Sequence, residues 1–340
     1  MPLYILKKKD REEATEGFIM NRTIHYPLEK IEGLLLGTFL GDAIGALFNG
    51  WLPEDIPPLD TNYIATHPPR TYTDDTQMSI SVFEEMLENG CINQQSLVQR
   101  FLKRFSPWRG YGGGMLEVIE QWKDGRDIES AAHSMYGGIG SFGDGAAMRS
   151  GPVSPFFTLQ ETELLAEQVR LSSLVTHTHP LGIAGAIMQA HAVLLALNDI
   201  PGEEWLKGLF SFPTESVFKI KLETVKKSIE RQSSPHEAAR DIGNGSDALE
   251  AVPAALFAAI RHPDSFVDAV LGGVSMGGDT DTIGAMAGAI AGARLGINGI
   301  PHEWLANLEN GVEGKDFVIS LARKAAASVA ATDTAANASG

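Results

Sequence analysis

The sequence predicts an all-α fold, a single compact domain built from many helices. Apolar residues recur at helical spacing along most of the chain, and period-two runs of β-branched residues are nearly absent. The chain has 340 residues, 44% of them hydrophobic, and neither a linker-like stretch nor an internal repeat divides its central part. We therefore expect one domain over residues 29–325, preceded by a polar extension (residues 1–28) and followed by a flexible tail (residues 326–340).

Twelve segments have the helical spacing, and each is predicted to form one helix. In the first, residues 31–48, Leu34 and Phe39 lie on the apolar side and Asp42 interrupts it. The second, residues 76–87, sets apolar residues against a glutamate-rich face. The other ten predicted helices cover residues 95–105, 115–122, 161–175, 182–197, 215–230, 246–260, 265–273, 282–295, 301–309 and 316–329.

A glycine stripe distinguishes the helix predicted over residues 282–295. Every fourth residue from Gly284 to Gly296 is glycine, although glycine costs a helix about 1 kcal/mol per residue relative to alanine. Such a stripe indicates that another helix backbone approaches closely. A membrane dimer motif would look similar. However, the segment between Asp281 and Arg294 is too short to span a membrane. We expect a buried central helix with Asp279 and Asp281 at its N-terminus.

Two acidic clusters each precede a predicted helix: Tyr-Thr-Asp-Asp-Thr at residues 72–76 and Gly-Gly-Asp-Thr-Asp-Thr at residues 277–282. Together they offer four carboxylates and several hydroxyls without thiols or imidazoles. Such a set suits Mg²⁺ or Mn²⁺ rather than zinc. If the fold brings them together, they can hold one or two metal ions.

Helix capping is the alternative interpretation of the same clusters. Asp and Thr are good N-cap residues, and acids in the first turn complement the helix dipole. Thr73 or Asp74 alone would suffice as a cap, yet Asp75 follows. Buried like charges are costly without a counter-cation. The residues alone leave both interpretations open.

Three glycine-rich segments run into predicted helices: residues 108–115, 140–149 and 243–247. Backbone N–H groups at such turns suit phosphate binding, while ordinary connecting turns are the alternative. None matches the P-loop or the dinucleotide-binding glycine motif. His177 and His179 lack a metal-binding partner at zinc spacing, so a hydrogen-bonded structural histidine is the default for His177.

Bulk composition excludes several classes of function. The net charge of −16 opposes binding to nucleic-acid backbones and anionic membranes, so nucleic acid and membrane are both disfavoured as partners. The single cysteine, Cys91, excludes a disulfide framework. The N-terminus has no secretory signal, and no apolar run reaches the length of a membrane span. We expect a cytoplasmic protein.

The ordered motifs resemble those of the ADP-ribosylglycohydrolase family, the ADP-ribosyl-acceptor hydrolases that include the dinitrogenase-reductase-activating glycohydrolase. The resemblance runs from about residue 31 to residue 323. Its most specific motif is Gly-Asp-Thr-Asp-Thr at residues 278–282. The other motifs are Gly37-x-x-x-Gly41-Asp42-Ala-x-Gly45, Thr73-Asp74-Asp75-Thr76, Tyr111-Gly112-x-Gly114, Gly143-Asp144-Gly145-x-x-Met148-Arg149, Thr176-His177, Gly243-Asn244-Gly245 and Val252-Pro253-Ala254.

This resemblance implies an all-α single-domain hydrolase with two Mg²⁺ ions, or Mn²⁺, and ADP-ribose bound in a cleft. An ADP-ribosylated protein is the implied substrate and ADP-ribose the product. Asp74, Asp75 and Asp281 are the implied catalytic carboxylates, which orient the attacking water. The implied metal ligands are Thr73, Asp74, Asp75, Asp279, Asp281 and Thr282. The implied substrate-binding residues are Gly112, Gly114, Ser141, Phe142, Gly143, Asp144 and His177.

Two departures from the family pattern stand out. Asp144 replaces the usual asparagine of a Gly-Asn-Gly loop and would add negative charge near the pyrophosphate. Many members carry a glutamate on a flap over the metals, where this chain has Asn49. Members acting on ADP-ribosylarginine also show Asn-Gly there, so arginine is the favoured acceptor over serine. Glu54 or Asp55 is a candidate substitute acid.

Two alternative functions stay open at the level of sequence. One is hydrolysis of a free ADP-ribose derivative. The other is a non-catalytic family member that binds ADP-ribose or is structural. Retention of all six implied metal ligands argues against the second, because a binder has less need of them.

Overall fold

A computed structural model describes residues 24–69, 71–211 and 215–338. Within these ranges the chain forms sixteen α-helices and short 3-10 turns but no β-strand, which confirms the all-α prediction. Most of the predicted extension, residues 1–28, lies outside the described residues, and the first helix begins at Leu28. The helices are α1 Leu28–Gly45, α2 Thr61–Thr66, α3 Asp74–Asn89, α4 Gln94–Arg104, α5 Gly113–Lys123, α6 Ile128–Gly138, α7 Thr162–Leu174, α8 Pro180–Leu197, α9 Gly202–Ser211, α10 Ser216–Glu230, α11 Pro235–Ile242, α12 Ala248–Arg261, α13 Phe266–Val274, α14 Thr280–Leu295, α15 His302–Asn307 and α16 Lys315–Ala338.

All twelve predicted helices are present, with ends shifted by at most three residues except at the C-terminus of α16. Four helices were not predicted: α2, α6, α9 and α11. They are short, and short segments give little periodic signal. Helix α6 also departs from helical geometry over Met135–Gly137, where Tyr136 adopts a left-handed φ of 52°.

The glycine stripe of α14 packs against a second stripe on α1, so the predicted close helix contact is confirmed. A Cβ atom on Gly288 would lie 2.2 Å from the carbonyl oxygen of Gly37, and one on Gly41 would lie 2.0 Å from that of Gly284. Real Cβ atoms do not approach backbone this closely. Only glycine therefore permits this separation of the two helices.

The two stripes run antiparallel, so the C-terminal end of α1 meets the N-terminus of α14. There the Thr280 hydroxyl donates to the Gly45 carbonyl at 2.7 Å. This packing places Asp42 of α1 and Asp281 of α14 at the same end of the helix pair. Helix α3 also begins there, because the Asp42 carboxylate accepts the backbone N–H of Thr73 at 3.0 Å.

Helix α8 is the apolar centre of the domain. Among the described residues it alone is long and apolar enough to cross a membrane by length and composition, with a mean hydropathy of 1.7. This differs from the expectation that no apolar run reaches the length of a membrane span. However, 72% of the helix is buried within the protein, and it packs against α7, α12 and α14. A core helix of a helical domain has these properties.

Helix α16 extends beyond the expected end of the domain. It runs from Lys315 to Ala338, past the predicted start of the tail at residue 326. Residues 325–331 are mostly alanine, the best helix former, which favours continuation of the helix. The flexibility of residues 326–340 stays a prediction.

Candidate active site

The structure brings the two acidic clusters together on one cavity of about 540 Å³. The N-termini of α3 and α14 form its acidic end. The loop before α5, residues 141–145 and residues 246–247 form further parts of the wall. A cavity of about 300–1,000 Å³ is the usual size for a small-molecule site. Of the residues implied by the family resemblance, all but Thr73 line this cavity.

Asp42 organises the N-terminus of α3. Its carboxylate is fully buried and accepts the backbone N–H groups of Thr73 and Thr76, as well as the Thr76 hydroxyl at 2.5 Å. Thr73 is the N-cap of α3, and its hydroxyl donates to Asp75 at 2.9 Å. These contacts fix the direction of Asp74 and Asp75 into the cavity.

The N-terminus of α14 carries Asp279 and Asp281. Asp279 lies close to both Asp144 and Asp281, and its proximity contributes to the raised pKa values of those two carboxyl groups. Oδ2 of Asp281 accepts the side-chain N–H of Asn49 at 2.6 Å, and Oδ1 accepts the backbone N–H of Thr282 at 3.0 Å. These two hydrogen bonds hold the Asp281 carboxyl group at the start of α14.

The crowding of these acids raises their pKa values. Burial, together with repulsion between neighbouring carboxylates, raises the pKa of Asp42 to about 7 and those of Asp74 and Asp281 to about 8. The same causes raise the pKa values of Asp75 and Asp144 well above the usual range. The cluster is thus poised to exchange protons for a cation as the pH rises.

The donor set fits a hard divalent cation. Asp75 Oδ1 and Asp144 Oδ2 are buried without a hydrogen-bond partner, although both residues line the cavity. An unpartnered buried carboxylate oxygen is costly unless a cation satisfies it. Among the described residues no three acidic or imidazole groups already surround a common point. A bound cation would therefore require these side chains to move closer together.

Glycines form the opposite wall of the cavity. A Cβ atom on Gly112 or Gly113 would meet nothing within 4 Å, so a ligand can approach this backbone closely. The loop 141–145 is held to the start of α12 by backbone hydrogen bonds. Asp144 donates to Ser246 at 3.0 Å, and Ala248 donates to Phe142 at 3.1 Å. This fixed loop directs Ser141, Phe142 and Gly143 at the cavity.

His177 and Arg149 lie together beneath this loop. The Arg149 guanidinium is buried and donates to the Gly145 carbonyl at 2.7 Å and to the Thr176 hydroxyl at 2.8 Å. His177 Nδ1 lies 2.7 Å from the same hydroxyl. Burial and the Arg149 charge lower the pKa of His177 to about 3, so the ring is neutral. A positive group thus underlies the glycine wall.

The structure places Asp144 beside the acidic cluster. Its carboxyl group faces Asp279 in the acidic cluster, and it adds a fifth carboxylate to the four that the sequence grouped there. Glu54 and Asp55 are exposed and do not line the cavity, so neither supplies the missing flap acid in this structure. Asn49 itself occupies the flap position beside Asp281.

Several residues of the site were not predicted from the sequence. Asp42 was noted as an acid that interrupts an apolar helix and as part of a family motif, but it received no role at the site. Arg149 belonged to a motif but received no role, although it is the only lysine or arginine among the described lining residues. Tyr136 lines the cavity from α6, a helix that was not predicted, and no sequence signal marked this residue.

Fold and cavity together define a class: an all-α protein with a small-molecule site that is lined by five carboxylates and by glycine-rich loops. A family model described as ADP-ribosylglycohydrolase matches residues 24–335. The chain belongs to this ADP-ribosylglycohydrolase family.

The similarity to known proteins extends over most of the chain. ADP-ribosylhydrolase ARH3 of Danio rerio is 32% identical, covering 87% of this chain and 90% of the relative. ADP-ribosylhydrolase ARH3 of Homo sapiens is 30% identical, covering 86% of this chain and 92% of the relative. A solved structure described as an ADP-ribosylglycohydrolase-related protein complex has the same fold, with a TM-score of 0.68 at 23% identity over 88% of this chain and 98% of that chain.

Proposed function

We propose that this chain is a Mg²⁺-dependent hydrolase that removes ADP-ribose from modified protein side chains. One observation carries the proposal: a single cavity brings five carboxylates together with glycine-rich loops and a buried arginine. ADP-ribose has two matching parts: a central pyrophosphate that suits backbone N–H groups, and a distal ribose whose hydroxyls suit a metal site. The names of the ARH3 relatives support the same activity.

The polarity of the cavity sets the direction of the ligand. Gly112, Gly114 and the 141–145 loop bind the pyrophosphate and adjoining ribose, with the Arg149 charge behind them. The distal ribose then lies at the N-termini of α3 and α14. Its anomeric carbon, where the scissile bond is attached, is thereby placed among the carboxylates.

The six implied ligands would hold the metal ions: Thr73, Asp74, Asp75, Asp279, Asp281 and Thr282. Thr73 is the least direct of them, because its hydroxyl already donates to Asp75 and it lines the neighbouring cavity rather than this one. Asp144 adds a further carboxylate beside Asp279. Bound Mg²⁺ supplies Lewis acidity toward the ribose hydroxyls and water.

The chain's own carboxylates perform the proton chemistry. An aspartate in the cluster takes a proton from a water molecule whose oxygen forms the new bond to the anomeric carbon. The bond from that carbon to the acceptor atom breaks, and its electron pair leaves with the acceptor. The surrounding negative charge stabilises the oxocarbenium-like centre during this exchange.

Asn49 favours arginine over serine as the acceptor. An amide cannot donate a proton as a general acid, and neither exposed carboxylate of the flap, Glu54 or Asp55, reaches the cavity. A protonated guanidinium is a better leaving group than a serine alkoxide, so its departure needs less help from an acid. The same cavity would accept a free ADP-ribose derivative with a good leaving group, which is the second candidate function.

Mass spectrometry of two matched peptides tests the proposal. One carries ADP-ribosylarginine and the other ADP-ribosylserine, and each is incubated with the protein and Mg²⁺. We expect release of ADP-ribose, faster from the arginine peptide. Faster release from serine would refute the acceptor preference alone. Stable peptides together with tight ADP-ribose binding would instead indicate a non-catalytic binder.

A further inference from the structure

A second cavity of about 400 Å³ lies beside the first at its acidic end. The two cavities share three lining residues: Asn49, Gly110 and Asp281. None of the glycine wall that suits the pyrophosphate, Gly112–Gly114, lines the second cavity. A molecule bound in the first cavity with its reactive end at Asp281 therefore points that end toward the second.

A fixed ion pair forms one wall of the second cavity. Arg109 donates two hydrogen bonds to the Glu309 carboxylate at 2.6 and 2.9 Å, and a third to the Tyr72 carbonyl at 2.7 Å. Its guanidinium also lies 3.5 Å from the centre of the Tyr72 ring. This arrangement neutralises the wall and makes it rigid. Since Arg109 is the only cation among the described lining residues and is already paired, nothing here favours a polyanion such as nucleic acid.

Trp108 contributes an exposed indole next to this wall. It lies on the 3-10 turn Pro107–Arg109 and is 79% exposed. The neighbouring Arg109 anchors that turn, so the ring is presented from a fixed backbone. Aromatic side chains held this way are frequent anchors in recognition, through packing and through contact with cationic groups.

We propose that the second cavity is the acceptor subsite: it binds the side chain and adjoining backbone of the polypeptide residue that carries ADP-ribose. The inference rests on the proposed function. With ADP-ribose in the first cavity, the leaving residue must extend from the anomeric carbon on the opposite side, where this cavity lies. Trp108 stacks on the aliphatic or guanidinium part of that residue, and the Arg109–Glu309 pair borders its backbone.

The test compares two substrates with the same scissile bond. One is an ADP-ribosylarginine peptide, and the other is ADP-ribosylguanidine, which lacks the aliphatic chain and backbone. For Trp108→Ala we expect the ratio of kcat/KM between peptide and guanidine substrate to fall roughly tenfold, mainly through KM, the effect of truncating an anchoring aromatic. Trp108→Phe should restore most of the ratio. If only serine linkages are cleaved, the matched pair is the serine peptide and methyl ADP-riboside.

Tyr136→Ala is the matched control, because Tyr136 is another exposed aromatic but lines only the first cavity. It should lower kcat/KM for both substrates and leave their ratio unchanged. An unchanged ratio in Trp108→Ala would overturn the acceptor subsite while leaving the proposed function intact. If the unaltered protein releases ADP-ribose from neither substrate, the proposed function fails and the acceptor subsite fails with it.

Discussion

At the residue scale, the site depends on carboxylates that the protein crowds together and then restrains. Asp42 is buried in α1 and holds the first turn of α3, so it positions Asp75 without reaching the cavity itself. Asp75, like Asp144, keeps one buried oxygen without a hydrogen-bond partner, so this oxygen is available to a cation. We therefore expect Asp75 to be among the residues most sensitive to substitution.

Replacement of Asp75 by alanine should separate activity from folding. The substitution removes a proposed cation ligand from the cavity, and we expect ADP-ribose release to fall at least about a hundredfold. It also removes a buried repulsive charge, so circular dichroism should show an unchanged helical fold. Asp55→Ala is the control, because Asp55 is exposed and outside the cavity. Near-normal turnover by Asp75→Ala in saturating Mg²⁺ would contradict the assignment.

Asn49 allows the acceptor preference to be tested directly. Asn49→Glu places a carboxyl group capable of general acid catalysis where the amide now contacts Asp281. Because the serine alkoxide needs a proton more than guanidine does, cleavage of the serine peptide should rise at least about tenfold relative to the arginine peptide. Glu54→Gln serves as the comparison and should not change the cleavage rate of either peptide. A loss of serine cleavage in Glu54→Gln would instead identify Glu54 as the missing acid.

At the element scale, the pairing of α1 with α14 carries the site. The glycine stripes let the two backbones touch, and this contact brings Asp42, Asp281 and the start of α3 to one place. Without this contact, the acidic residues of α1 and α14 would lie near separate helix ends. The carboxylate cluster therefore depends on the short distance between the two helices as much as on the acidic residues themselves.

Gly288→Ala should disrupt this pairing. The new Cβ atom would lie 2.2 Å from the Gly37 carbonyl oxygen, so the helices must separate. We expect a loss of at least about 3 kcal/mol in the free energy of unfolding, the upper range for overpacking, measured by urea denaturation. Gly272→Ala in α13 is the matched control, since its Cβ would meet only ordinary contacts at 3.8 Å. Equal stability of the two variants would show that the stripe is not needed for close packing.

The helix pattern and the acidic clusters could be predicted because their signals are local. Spacing identified twelve helices, and the α14 stripe indicated a close partner. The partner itself, α1, was not identified, although Gly33, Gly37, Gly41 and Gly45 follow the same spacing. Asp42 and Asp75 are 33 positions apart, and no local pattern connects them. The second cavity, assembled from segments between Ala46 and Glu309, requires the tertiary fold.

At the scale of the whole molecule, stability should depend on pH and metal together. The unfolded chain has carboxyl pKa values near 4, whereas burial and repulsion raise that of Asp42 to about 7 and those of Asp74 and Asp281 to about 8. Between these values the folded state holds more protons than the unfolded state. The free energy of unfolding contributed by these groups therefore falls as the pH rises from about 4 to about 8.

Mg²⁺ should oppose this loss of stability, because its positive charge compensates the negative charges of the same carboxylates. Binding to the native state at a hundredfold excess over Kd adds about 2.7 kcal/mol. Thermal melts in EDTA and in Mg²⁺ should therefore differ more at pH 8 than at pH 5.5. In EDTA, the thermal stability of Asp75→Asn should depend less on pH than that of the unaltered protein. Both proteins contain the same histidines, so this comparison cancels the contribution of histidines. Superimposable melts with and without Mg²⁺ at both pH values would count against a metal site.

The proposed function requires that the carboxylate cluster use Mg²⁺ to hydrolyse an ADP-ribosyl bond. The most direct measurement is release of ADP-ribose from an ADP-ribosylarginine peptide by EDTA-treated protein before and after Mg²⁺ is added back, performed in ¹⁸O-labelled water. We predict that release stops in EDTA, returns with Mg²⁺, and yields ADP-ribose carrying one ¹⁸O atom from the attacking water. Full activity in EDTA, or no release under either condition from arginine or serine peptides, would contradict the account.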